Sequence, residues 1–536
     1  MHERFNKIIL AWSLLGIAVF SSCGSGLDVL LDSPLQKMVP LFSNGYQALL
    51  NNSPVINDFS ANMTNPHPGQ SVTLTVTASD AEGDTLSYAY AFTAGSGTLS
   101  ASGASATASV DTMIASTVTV TVTDGKGGQA TRTLDLSGSN EAPAISSFSA
   151  AAGNIFNTGS DTKNLAVDAT DGDGDTLTYS YSVVSGLGSA SGSTATGTFT
   201  SGTIAGYSTV RVTVSDPYGG VATSNVQIKV CGWRQLASLG DPPPTARDSH
   251  SAILDGSGNM IIFGGVFGSG EDYKDDVRRY NIASQTWTNI TPLSGPTPAA
   301  RKWHRAVYDS AGNNMYITAG FNGTFRNDTW AFNLTTGTWN GLLPSSSPPG
   351  RILFSAINDG GGDMIIYGGY QSDTWRYTIA TNAWTQVFPP SGPGEVTGHS
   401  TIFDGVNMII FGGQDSVHIF RNEIWRYTIA TEQWMQLTTP DPPPAGPAAR
   451  WGNSAVYDGV GKMIIYGGNF SGGYSNDVWA YDIAGQTWED YASVNGPAGR
   501  YYHSAIYYSG SMIIYGGALS GLDGGTDLVV WEYILP

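Results

Sequence analysis

Two short turns place carboxylates at alternate positions, a spacing that lets several oxygens converge on one hard cation. The first reads Asp80-Ala81-Glu82-Gly83-Asp84 and the second Asp171-Gly172-Asp173-Gly174-Asp175. A further aspartate follows each at a later strand end, Asp124 and Asp216 respectively. Calcium is therefore the expected ligand of Asp80, Glu82, Asp84, Asp124, Asp171, Asp173, Asp175 and Asp216, with the stronger case in the second turn. A bare, solvated acidic turn is the plainer alternative. No organic cofactor is expected.

A second set of groups recurs along the C-terminal part of the chain. Arginine stands at 247, 301, 351, 450 and 500, and three positions later come His250, His304, Phe354, Asn453 and His503. His399 takes the equivalent place in the fourth unit. Neutral imidazoles in a ring could hold a transition metal. The slot also accepts Phe and Asn, so a structural role is the stronger expectation. Each unit then supplies a carboxylate: Asp276, Asp328, Asp373, Glu423, Asp477 and Asp527. Arginine and carboxylate in such numbers suit bidentate pairing between strands. Catalysis would require one unit to depart pointedly from the rest at this set, and none does, so no catalytic residue is assigned.

The elements that carry these groups repeat. Apolar runs end in paired glycines at 264–265, 368–369, 412–413, 467–468 and 516–517, and a degenerate MYITAG ends at Gly320. After them, pairs of an aromatic and a tryptophan recur at one fixed spacing: Tyr280 and Trp287, Phe332 and Trp339, Tyr377 and Trp384, Tyr427 and Trp434, Tyr481 and Trp488. A unit this short cannot bury its own apolar face, so stacking or ring closure is required. Diglycine with spaced Tyr and Trp resembles the kelch repeat, and the resemblance implies a β-propeller. The last unit ends on Val529-Val530-Trp531-Glu532-Tyr533 without a fourth strand, while Trp233-Arg234-Gln235-Leu236 opens the array as a fourth strand without a unit. Pairing first with last closes a ring of six blades over residues 231–536 and removes the open edges.

Upstream, segments 53–138 and 139–230 alternate apolar and polar residues, as in VTLTVTAS and TVTVTVTD, which is the signature of half-buried strands. Each reads as an immunoglobulin-like sandwich. Both resemble the cadherin-like and PKD-like modules of bacterial surface proteins. The fold class is all-β: a six-bladed propeller preceded by two immunoglobulin-like β-sandwich domains.

Residues 1–22 have a basic start at Arg4 and Lys7, then an apolar stretch too short to span a bilayer comfortably. Phe20-Ser21-Ser22-Cys23 resembles a bacterial lipobox, which implies acylation of Cys23, a membrane anchor and a tether over 23–52. The cell envelope, at the outer membrane or cell surface, is the expected location. With Cys23 acylated, Cys231 has no disulfide partner in the chain. A net charge of −19 excludes nucleic acid as a partner.

Turns within the repeat are short and alike, whereas the loops joining second to third strands, and fourth to first, are long and varied. Alternating strand direction puts both sets on one face, and a scaffold that varies one face binds with it. Phe267, Tyr273, Phe321, Phe325, His418, Phe420, Phe470 and Tyr474 fall there, among Gly, Asn and Ser. Aromatics with polar neighbours suit a protein or glycan ligand. The competing reading is a carbohydrate-active enzyme with an axial pocket, similar to galactose oxidase or a sialidase. The first needs a cysteine inside the propeller to crosslink to tyrosine, and the second a Ser-x-Asp-x-Gly-x-x-Trp box. Neither stands in this sequence.

Overall fold

The computed structural model describes residues 51–536 apart from 269–270, 438–445, 492–493 and 520–526. The expected signal peptide, Cys23 and nearly all of the expected tether therefore lie outside the described residues. Those described are strand and turn, with one 3-10 turn at Ile379–Thr381. None of their helices is long and apolar enough to cross a membrane. Two compact units emerge. One holds the chain up to Ala144 with the turns Asp171–Leu177 and Ser215–Val221, and the other holds the remainder.

The first sandwich pairs a four-stranded sheet, ordered Val55–Ala61, Val72–Ser79, Ser105–Val110, Gly97–Ser102, with a three-stranded one ordered Ser87–Ala94, Ser116–Thr123, Gln129–Leu136. Period-2 alternation does the sorting. Val72, Leu74 and Val76 face Val118, Val120 and Val122 across the core, and the intervening threonines face outward. The second sandwich repeats the plan: Gly188–Ser191, Thr196–Ser201, Thr162–Thr170, Ala144–Ala150 in one sheet, and Thr178–Ser185, Gly206–Ser215, Val221–Val230 in the other.

At the start of the propeller Cys231 is buried, with its Sγ 3.7 Å from Leu535 O, and burial pushes its thiol pKa up. A buried, protonated thiol is inert packing. Asn157 donates through Nδ2 to Trp233 O and Thr203 O, both at 3.1 Å, and accepts at its own carbonyl from Asn495 Nδ2 at 2.8 Å.

Six blades follow, each built on four antiparallel strands. The first carries a short fifth strand, Leu239–Gly240, parallel to Thr286 and Trp287, and in the sixth the outermost strand is Gly232–Leu236, paired with Val530–Ile534. The apolar run of each second strand is buried on both faces because it is shared between neighbours. Met260 and Ile262 pack toward Ile513 and Tyr515 of the sixth blade, while Ile261 and Phe263 pack toward Met315 and Ile317 of the second. The recurring aromatic and tryptophan are direct cross-strand partners: Tyr280 opposes Trp287, with ring centroids 5.0 Å apart. Trp233 completes the sixth such pair with Tyr533, also at 5.0 Å. Sandwich and propeller thus match the expected fold class.

The diglycine has a steric cause. Gly264 and Gly265 have φ of 68° and 96°, in the left-handed region. A Cβ on Gly264 would lie 2.8 Å from Arg301 O, and one on Gly265 would lie 2.7 Å from Asp248 O. The chain threads between the Arg-x-x-His segments of its own blade and the next, and Gly265 N donates to Arg301 O at 2.9 Å.

Candidate functional site

The repeated arginines are spent on structure. Arg351 is buried and forms a fork with Asp373 at 2.7 and 3.1 Å, donates to Gly368 O at 3.2 Å and to Pro349 O at 3.3 Å. Arg247, Arg301 and Arg450 fork onto Asp276, Asp328 and Asp477 in the same way, and Arg500 donates to Asp527 at 3.0 Å. Each arginine so ties the entry turn, the diglycine and the third strand of one blade. It also holds Asp276, Asp328, Asp373 and Asp477 below the usual carboxylate range against a desolvation that would raise them. The fourth blade has Val396 where the others have arginine, and Arg421 replaces it from the other side, 3.1 Å from both Glu423 and Asp415.

Three of the four belt histidines stitch blade to blade, whereas both ring nitrogens of His399 are buried without a partner. His250 Nε2 lies 2.8 Å from Ser504 Oγ, His304 Nε2 lies 2.8 Å from Ser251 Oγ, and His503 Nε2 lies 2.6 Å from Ser454 Oγ. Asn453 does the same work, donating to Ser400 Oγ at 2.8 Å. Burial pushes His250 and His399 down to about 3, and His304 and His503 also well below normal, so the belt is neutral.

Just before this slot the six backbones close on one another. Ser249 N donates to Tyr502 O at 2.9 Å, Tyr502 N to Gly452 O at 2.8 Å and Gly452 N to Gly398 O at 2.7 Å. Gly398 N donates to Leu353 O at 2.8 Å, Leu353 N to Trp303 O at 3.4 Å and Trp303 N to Ser249 O at 3.0 Å. One residue from each blade contributes, so this head-to-tail ring encircles the axis. All six have positive φ, from 57° to 70°, including the non-glycine residues Ser249, Trp303, Leu353 and Tyr502. Strain of that kind persists where surroundings over-determine it and clusters at functional surfaces.

Side chains of this ring and its neighbours form one aromatic band. Phe325 meets Phe321 at 5.5 Å, and Phe321 meets Tyr273 at 6.4 Å and Trp303 at 6.2 Å. Trp303 reaches Tyr502 across the ring at 6.1 Å, Tyr502 touches Trp451 at 5.2 Å and Tyr501 at 4.6 Å, and Tyr501 touches Tyr474 at 4.9 Å. Lys302 Nζ stands 4.1 Å over Trp303. Burial lowers Lys302, raises Asp248 and pushes Tyr501 up to about 12. The Nε1 atoms of Trp303 and Trp451 are buried without a hydrogen-bond partner. The hairpins after the diglycines pair with the entry segments through Val266 and Asp248, Phe321 and Lys302, and Arg450 and Phe470, which puts both loop sets side by side.

Of the expected binding-face residues, Tyr273, Phe321, Phe325 and Tyr474 belong to this band. Phe267 is 46% exposed but outside it. His418 occupies a turn with φ of 65°, Phe420 pairs with Gln414, and Phe470 lies over Gly472 of its own hairpin. Trp303, Trp451, Tyr501 and Tyr502 were missed. They fill the two middle positions of the Arg-x-x-His motif, where period alone hides them: Trp303 and Tyr502 stand where other blades have Ser, Leu or Gly, and Trp451 and Tyr501 where they have Asp, Lys, Ile or Thr.

The acidic turns divide as well. Asp80, Asp84 and Asp124 bring oxygens within 4.8 Å of one another, as do Asp171, Asp175 and Asp216. Glu82 stands apart, accepting from Asn52 N at 3.1 Å, and Asp173 accepts from Glu141 N at 2.6 Å. Glu82 lies outside its cluster, whereas Asp173 leaves the Asp171, Asp175 and Asp216 cluster but comes within 4.8 Å of His67 and Asp175 in a second group. Asp84 carries Lys126 Nζ at 2.6 Å, whereas Tyr218 stands where Lys126 would in the second turn. His67 Nε2 lies 3.0 Å from Asp175 Oδ2. The Oδ2 atoms of Asp80, Asp84 and Asp171 are buried without a partner.

Comparison with known proteins agrees with this architecture. Residues 326–526 match the Attractin/LZTR1 beta-propeller, residues 222–369 the KLHDC2/KLHL20/DRC7 Kelch-repeats domain, and residues 51–137 a bacterial Ig domain. The chain thus contains kelch-repeat propeller domains and a bacterial Ig-like domain. It is 39% identical over 115 residues to the leucine-zipper-like transcriptional regulator 1 homolog of Drosophila melanogaster, covering 20% of this chain and 11% of that protein. It is 29% identical over 352 residues to multiple epidermal growth factor-like domains protein 8 of Mus musculus, covering 56% of this chain and 12% of that protein. Human Kelch domain-containing protein 3 is 29% identical over 127 residues, which is 22% of this chain and 32% of the relative.

Proposed function

We propose that this chain is a binding protein whose propeller captures a partner on the aromatic band at the axial mouth. The observation that carries the reading is the continuity of that band, from Phe325 through Trp303 and Tyr502 to Tyr474. Rigid rings with desolvated polar tips are the side chains that dominate protein interfaces. The kelch relatives support a protein partner over a glycan, which remains the second ligand class. Catalysis gains no support from the repeated His and Asp, since three of the four histidines are held in stitches between blades, the buried His399 is neutral, and the aspartates are held in arginine forks. Affinity capture with the whole chain from envelope and surface fractions, run beside Trp303→Ala and Tyr502→Ala, tests the reading. Capture that both variants retain in full would sink it.

A second reading concerns the sandwiches. The convergence of Asp171, Asp175 and Asp216 without an ammonium group favours calcium there, while Lys126 already supplies a cation to the first cluster. Calcium should raise the melting temperature of the wild type and not that of Asp216→Asn. Identical melting with calcium and with chelator removes the idea. Acylation of Cys23 completes the proposal of an envelope-anchored receptor, and unchanged palmitate labelling in Cys23→Ala would refute it.

A further inference from the structure

Five blades carry serine directly after the histidine slot: Ser251, Ser355, Ser400, Ser454 and Ser504. The second blade carries Arg305 instead. The exchange breaks the stitch, because the third blade has Phe354 opposite and Arg305 Nε donates to its carbonyl at 2.6 Å. Arg305 has no ion pair with a carboxylate and its two Nη atoms have no acceptor among the described residues. Burial alone pushes it down to about 10, with only the Tyr502 phenol acting the other way.

The guanidinium lines an axial cavity of about 40 Å³ together with Trp303, Tyr502, His250, Asn453 and His503. The two imidazoles are held neutral by burial, so nothing in this lining balances the positive charge. Arg305 is half-buried, and a charge drawn partly out of bulk water without a counter-charge is costly to a fold. The backbone ring next to it is held by hydrogen bonds of 2.7 to 3.4 Å. The space suits one or a few particles of water size, since a single water needs about 10–15 Å³.

We propose that this cavity holds a small inorganic anion of halide size, bound by the Nη groups of Arg305 at the propeller axis. Trp303 and Tyr502 of the aromatic band also line this cavity, but the anion is held by Arg305, so the site does not require that the band bind a partner.

Bromide is the direct probe. Crystals of the full chain grown in gluconate and soaked in sodium bromide should show an anomalous peak within hydrogen-bonding reach of the Arg305 guanidinium. In solution at constant ionic strength, replacing gluconate by chloride should raise the melting midpoint by about 2–4 °C. Arg305→Ser, which installs the residue of the other five blades, should lose that rise, and Arg305→Lys should keep part of it. An anomalous map without a peak at Arg305 overturns the proposal, even if the serine variant fails to fold. An equal chloride effect in wild type and Arg305→Ser overturns it too, and a shift with acetate but none with bromide overturns the size.

Discussion

Arg301 and Arg305 share one blade and have opposite surroundings. Arg301 is fully buried and cancelled by a fork onto Asp328 at 2.7 and 2.8 Å. Arg305 faces the axis with one backbone carbonyl as its acceptor. The first is what the repeat does in every blade by one route or another, and even the fourth, lacking the arginine, recruits Arg421 to Glu423. The second occurs once. Charges in the blade framework are neutralised locally, whereas the axis and its mouth collect what the framework leaves unbalanced: an unpaired cation, strained backbones and clustered rings.

The hardest test of this contrast is to cut a framework fork. Arg351→Ala leaves Asp373 partly buried and frees two carbonyls of the entry turn and diglycine. Breaking a buried pair by removing one partner costs about 3–5 kcal/mol. Every tryptophan beyond Trp12 lies in the propeller, so their fluorescence in urea isolates its unfolding from that of the sandwiches. A loss below about 1 kcal/mol, the range of an exposed pair, would mean that the forks are surface decoration.

The mouth should behave the other way. Trp303→Ala and Tyr502→Ala are expected to weaken partner binding by about 2 kcal/mol or more each, as central aromatic anchors do. Isothermal titration against the captured partner gives the affinity, and urea melts give the stability. If both variants lose stability by more than they lose affinity, the band is a lid that closes the ring and the comparison collapses.

How far the sequence foretold this follows the same division. The framework was legible because it is periodic: diglycine, Tyr opposite Trp, and arginine before carboxylate each recur at fixed spacing and each has one physical cause. The band was half legible. Hairpin rings such as Phe321 and Tyr474 announced themselves by loop variability, but Trp303 and Tyr502 sit inside a motif whose regularity masked them. The ring they share is closed by backbone groups, which carry no residue signature. Arg305 was visible as the one break in a row of serines, yet its meaning required knowing that this row faces an axis. In the acidic turns the spacing gave Asp80 with Asp84 and Asp171 with Asp175, but it could not show that Glu82 turns away, that Asp173 joins His67 and Asp175 instead of Asp171 and Asp216, or that Lys126 fills one cluster.

The smallest effect concerns the histidine belt, and its sign follows from burial. His250 is pushed from an ordinary value near 6.5 to about 3, chiefly by desolvation and then by Arg247. Its folded pKa lies below its unfolded one, so the unfolded chain takes up a proton that the native chain refuses. Stability is therefore complete above about pH 6.5 and falls as pH drops toward 3, by up to about 1.4 kcal/mol per pH unit for each such histidine. His304, His399 and His503 add in the same direction. Asn453 shows that asparagine can hold the slot, donating to Ser400 at 2.8 Å. His250→Asn should keep the stitch to Ser504 and reduce the slope of propeller stability against pH by about one proton. Urea midpoints between about pH 6 and pH 5 measure it, above the window in which the forked carboxylates titrate. An unchanged slope would mean that His250 takes its proton in the native state, and the belt would then be a charged ring facing the axis rather than part of the neutral framework.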